Sequence, residues 1–185
     1  MPWELIIIAI VGVVAVGGYN SLVKLRETGD AAWADIDVQL KRRHDLIPNL
    51  VETVKGYAAH ESETLEAVIQ ARNSAMSAQG PAQSAAAENM LTGALKSIFA
   101  LSEAYPQLQA AEGFRDLQGT LSELEETIAQ ARRYYNAVVR DYNTKTQTFP
   151  SVFIAKAFNF TQREFFEVAE AEKAVPNVDC GDKAD

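Results

Sequence analysis

The chain has 185 residues, 17 Lys and Arg against 25 Asp and Glu, and a formal net charge of -8. That balance lacks the basic face with which nucleic-acid binders neutralise phosphates, and it gives no polybasic domain drawn to anionic lipid. One cysteine, Cys180, forms no internal disulfide, and one Cys with two His makes no zinc cluster, so no cofactor or metal is expected.

The first element is apolar. Trp3 to Val23 reads WELIIIAIVGVVAVGGYNSLV, and Leu5 to Gly18 is unbroken apolar or glycine. As a helix the segment measures about 31 Å, close to a bilayer core of about 30 Å. Trp3 and Tyr19 bracket it as interface anchors, and Lys24 and Arg26 follow, placed to snorkel. A cleaved signal peptide needs a basic stretch before its apolar run, and only Met-Pro-Trp-Glu precedes this one. A buried core helix would show an amphipathic stripe, which is missing. The segment is therefore expected to anchor the chain in a bilayer. Removing it leaves roughly 160 residues, enough for one domain with one core. Lys and Arg lie only on its C-terminal side, so the positive-inside rule puts the N-terminus outside and the rest in the cytoplasm.

Four long helices are expected to follow or continue from the anchor. Leu22, Trp33, Ile36 and Leu40 mark the first. Pro48, in HDLIPNLVETV, lacks the N–H of a helix interior and suits a first turn, so a break is predicted near 45–48. A kink in one continuous helix is the alternative. The second helix carries Val51, Val54, Ala58, Leu65 and Val68 and fades before the turn signal Gly80-Pro81. The third carries Leu91, Leu95, Ile98, Phe99 and Leu101 and ends near Tyr105-Pro106, with Glu103 to Gly113 as the next connection. The fourth has the clearest pattern. Phe114, Leu117, Leu121, Leu124, Ile128, Ala131, Tyr135, Val138 and Tyr142 recur at alternating steps of three and four, a period no strand produces. It should stop before Phe149-Pro150.

The fold class expected is all-α: an N-terminal transmembrane helix, then an antiparallel up-down-up-down four-helix bundle with a short C-terminal helix or loop folding back over it. The expected divisions are an anchor at 1–23, a bundle at 24–160 and an acidic tail at 161–185. From Thr161 onward seven acids stand against three Lys or Arg.

Several polar residues fall on the apolar stripes. Glu61 and Arg72 take seam positions on the second helix, and Arg26 falls near the seam of the first. Asn136 and Asn143 lie seven apart on one face of the last. Buried charge must pair, so interhelical bonds that fix register are the expected use, and a polar site inside the bundle is the functional alternative. Lys41-Arg42-Arg43-His44 is a basic cluster that reads as a solvated helix end or a docking patch for an acidic partner. No catalytic signature stands out. The glycines at 12, 17 and 18 belong to the anchor, His60-Glu61 lacks the second His of a zinc protease, and neither His44 nor His60 has Glu three residues before it.

Longer strings are more specific. YNSLVKLRETGDAAWADIDVQLKRRHDLIPNLVETVKGYAAHE from Tyr19 to Glu61, AYPQL at 104–108, ARRYYNAVVRDYNTKTQTFPSVFIAKAFNF at 131–160 and PNVD at 176–179 resemble LemA family proteins. The resemblance covers nearly the whole chain. It implies a bacterial membrane protein with one N-terminal helix, an outward N-terminus and a cytoplasmic helical domain, and it implies no defined activity. The motif positions here are Gln39, Arg42, Arg43, Asp45, Pro48, Asn49, His60, Glu61, Arg72, Arg132, Tyr135, Asn136, Tyr142 and Asn143. They are candidates for shared structure or a shared surface. The function expected is a membrane-anchored module that binds other proteins or organises membrane, with the bilayer and a protein partner or second copy as its contacts. The alternative is a regulatory subunit of a membrane peptidase, or an enzyme using Glu61, His60 or Arg72.

Overall fold

A computed structural model describes residues 2–167. Those residues form six helices and no strand. They are α1 (Pro2–Lys55), α2 (Ser62–Ser77), α3 (Gly80–Ser102), α4 (Pro106–Ala110), α5 (Glu112–Gln147) and α6 (Ser151–Ala157). Cys180 and the Pro176 to Asp179 string lie outside the described residues.

The expected break near 45–48 does not occur, and α1 runs unbroken through Pro48. A proline inside a helix withholds the N–H that would bond the carbonyl four residues back, here that of His44. The structure supplies a substitute: Arg72 Nε of α2 donates to the His44 carbonyl at 2.7 Å. The freed acceptor is satisfied from a neighbouring helix, so the helix continues and Val51 and Val54 belong to α1. The first turn falls instead at residues 56–61, where the Tyr57 and Ala58 amides fold back onto the Val54 carbonyl.

The other joints lie where turn chemistry puts them. Gly80 adopts φ +76°, which glycine takes without strain, and Ala78 and Gln79 alone separate α2 from α3. The connection before α5 holds the short α4, whose Leu108 is fully buried. At the C-terminal end of α5, Thr148 is extended ahead of Phe149-Pro150.

α1 and α5 pack against each other along most of their described lengths, in opposite directions. Leu22 shares a cluster with Tyr142. Ala32, Ile36 and Leu40 meet Ile128, Tyr135 and Val139. Ile47, Leu50 and Val54 share a third cluster with Phe114 and Leu121. The α5 stripe read from sequence is this contact face. α2 and α3 pair as a hairpin whose Leu65, Val68, Leu91, Leu95 and Ile98 complete that third cluster. Each fully buried Leu, Ile or Phe contributes roughly 1.5–3 kcal/mol. Between Leu5 and Val16, by contrast, every residue of α1 is exposed, and an 18-residue stretch of α1 near the N-terminus has a mean hydropathy of 2.2 with almost no protein cover.

Candidate functional site

Two polar constellations tie the helices together. The first begins in the basic cluster of α1. Helical geometry separates neighbours by about 100°, so Arg43 and His44 turn inward while Arg42 and Asp45 stay exposed. Arg43 is 2% exposed and meets Glu88 of α3, 1% exposed. Arg43 Nη1 lies 3.3 Å from Glu88 Oε2 and 3.0 Å from Glu125 Oε2 of α5, and Nη2 donates to Thr92 Oγ1 at 2.7 Å. The other Glu88 oxygen lies 2.6 Å from His44 Nε2. Through Arg72 and the His44 carbonyl, α2 joins the same knot. Three helices, α1, α3 and α5, thus meet at one buried guanidinium and one buried carboxylate, and α2 joins them at the His44 carbonyl. Chemically this is a closed set, since both Glu88 oxygens are engaged.

Glu88, Thr92 and Glu125 were not singled out from sequence. Glu88 did carry a signal: it precedes Leu91, Leu95 and Ile98 by steps of three, four and three, which puts it on the stripe one turn upstream.

The second constellation lies on α5 and holds residues 163–166 against the α1–α5 pair. Asn143 accepts from the Arg163 amide and donates to the Arg163 carbonyl, both at 2.9 Å. Asn136 does the same to Phe166, at 2.9 and 2.8 Å. Each carboxamide therefore substitutes for a peptide group. Seven helical residues rise about 10.5 Å, and three extended residues span about 10 Å, so two asparagines seven apart match main-chain groups three apart. Tyr135 Oη adds a bond to the Glu164 carbonyl at 3.0 Å. Phe166 is buried, with Trp33 5.8 Å away and the Arg132 guanidinium 4.6 Å from its ring centre. Arg163 reaches back to Asp30 and to the Arg26 carbonyl of α1. Burial raises the Tyr135 hydroxyl above its ordinary pKa, against the lowering influence of Arg163.

The remaining candidates do not converge. Glu61 accepts from the Tyr105 hydroxyl at 2.9 Å, a bond that raises the tyrosine's pKa. His60 is exposed. Among the described residues, no group of three or more His, Cys, Asp or Glu is arranged to hold a metal ion. Arg42 and Asp45, with Gln39, face an open groove of about 590 Å3 whose far wall is Thr120, Glu123, Leu124 and Thr127 of α5.

A sequence model described as LemA family matches residues 32–180. Magnetosome protein MamQ 2 of Paramagnetospirillum magneticum is 26% identical over 175 residues, covering 80% of this chain and 64% of its own length. Magnetosome protein MamQ of Magnetospirillum gryphiswaldense is 26% identical over 174 residues, with the same coverage. Protein LemA of Metamycoplasma hominis is 26% identical over 164 residues, which is 86% of this chain and 74% of that protein. The chain thus spans about two-thirds of the length of the relatives it matches, 64% for both magnetosome proteins.

Proposed function

The chain belongs to the LemA family, and on that premise we propose that it is a non-enzymatic, membrane-tethered helical module that engages protein partners, or a second copy of itself, beside α1 and α5. One observation carries this reading: a single helix is apolar and exposed from Leu5 to Val16 and then supplies core residues from Leu22 to Val54. Anchor and recognition surface share one rod, so no hinge separates them. In this reading residues 1–23 anchor, 24–160 form the module, 161–185 form an acidic tail, and α1, α2, α3 and α5 alternate as an up-down-up-down bundle. The orientation proposed is N-terminus outside and module in the cytoplasm of a bacterial inner membrane, from the Lys and Arg bias.

The motif residues divide between two tasks. Arg43 and Arg72 join helices inside the fold, and Arg132, Asn136 and Asn143 hold the segment 163–166 against α5. Arg42 and Asp45, exposed, and Gln39, half-buried, line the groove toward Glu123 and are the proposed recognition surface, where clustered charge of both signs favours a polar protein face. The commitment of both Glu88 oxygens, and of Glu61 to Tyr105, supports a structural over a catalytic role.

The test is a photo-crosslinking side chain placed at Gln39 or at Thr120 in native membranes. The expected result is a discrete adduct from either groove wall, with an identical probe at Gly113 giving none. Absence of any adduct at both groove positions sinks the reading.

A further inference from the structure

At the base of the module, α6 packs beside the last turns of the apolar segment. Ile154 packs so closely on Gly18 that a Cβ there would collide with its Cδ1, and Phe158 stands 4.8 Å from Tyr19 between ring centres. This fixes the height of α6. Counting a hydrocarbon core of about 30 Å from Trp3 at 1.5 Å per residue ends near Val23, so the contacts at Gly18 and Tyr19 lie within about one and a half turns of that boundary, on its core side. On that level Phe149, Phe153 and Phe158 are 81%, 66% and 62% exposed. Single exposed apolar residues are ordinary, but three rings in and immediately flanking one short helix, continuous with an uncovered apolar helix, form a patch.

Beside it opens a cleft of about 610 Å3. Its α1 wall is Val14, Gly17 and Gly18, and its α5 wall includes Asp141 and Lys145. One wall is apolar and the other charged, the lining that a phospholipid headgroup and upper acyl chain match. We infer that this face is a second membrane contact: Phe149 and Phe153 enter the interfacial layer of the bilayer that α1 crosses, and phospholipid fills the cleft. Phe rings on an element lying in the interface bury toward the acyl boundary, and a second point of contact fixes the tilt and rotation of the module on the membrane. The inference rests on the spanning role of residues 3–23.

The test uses the full-length chain with Cys180→Ser, reconstituted in phosphatidylethanolamine and phosphatidylglycerol bilayers. Single cysteines are introduced by Phe149→Cys, Phe153→Cys, Val11→Cys and Met90→Cys and spin-labelled. Collision with oxygen reports lipid, and collision with a water-soluble nickel chelate reports solvent. The expected oxygen-to-nickel ratio at 149 and 153 is several-fold above that at 90 and approaches that at 11. If 11 is lipid-exposed while 149 and 153 match 90, the inference fails and the spanning reading stands. If 11 also matches 90, the spanning reading fails and this inference with it. Labels at 149 and 153 shielded from both reagents would mean that a second copy covers the face, which overturns the lipid assignment.

Discussion

Pro48 and Arg72 make a case in which two residues 24 apart in sequence explain each other. An interior proline costs a helix about 3 kcal/mol or more, part of it the unsatisfied carbonyl. Arg72 removes that part by donating to the His44 carbonyl. Arg72→Ala should therefore destabilise the fold by about 1–3 kcal/mol, the cost of leaving a carbonyl without a partner. In a Pro48→Ala background the restored amide bonds the same carbonyl, so Arg72→Ala should cost clearly less. Urea unfolding of the four variants in detergent gives the cycle, and equal costs in both backgrounds would refute the pairing. This pairing was not legible in the sequence. A proline is read through its local backbone effect, and the donor that compensates it comes from another helix. Glu88 is hidden for a related reason: the apolar stripe of α3 begins at Leu91, and a carboxylate on the same stripe one turn earlier breaks the apolar signal that reveals it.

At the scale of elements, α5 was the most legible because its stripe has no interruption over eight consecutive steps, and the buried face follows it. The place where the chain turns after α1 was the least legible, because Gly56 and the residues after it punctuate less strongly than Pro48. The two asparagines of α5 were expected to hold helices in register. They hold the extended segment 163–166 instead, a use that no pattern in α5 announces because the ladder depends on matching two different rises per residue. Asn143→Ala should release the Arg163 end of that segment. The Arg163 amide is then expected to exchange hydrogen much faster, with the centre of α5 unchanged, as read by exchange and mass spectrometry. Equal protection of the Arg163 amide in Asn143→Ala and in the unsubstituted protein would show that side-chain packing alone holds the segment. A pH effect belongs to the same element. Burial holds the Tyr135 and Tyr142 hydroxyls above their ordinary value near 10 in the folded state. The folded state thus binds protons more tightly than the unfolded chain, so this contribution is intact below about pH 10 and is lost as pH rises through the folded values. Denaturation midpoints should fall from pH 9 to pH 11, and Tyr135→Phe should flatten part of that fall.

For the whole molecule, the decisive feature is that α1 belongs to two environments without changing its backbone. Its first part needs lipid to cover exposed Leu, Ile and Val side chains, and its second part needs α5. Both halves were legible from sequence, because one is uniformly apolar and the other is striped. Their continuity was hidden by the proline. A rigid rod makes topology an all-or-none property: wherever Lys24 and Arg26 reside, the Arg43–Glu88 knot and the α5 asparagines reside too. The N-terminal flank has no Lys or Arg, and the C-terminal flank has Lys24, Arg26, Lys41, Arg42 and Arg43. Translocating the basic flank opposes the positive-inside bias, so the module should lie in the cytoplasm. Cys180 is a native single reporter for this. A membrane-impermeant maleimide should label it only after permeabilisation of intact cells or protoplasts, with a denatured sample establishing that the thiol is free. Labelling before permeabilisation would put the module outside. The partner sought by crosslinking would then be an envelope protein, and the lipid met by Phe149 and Phe153 would be that of the outer leaflet.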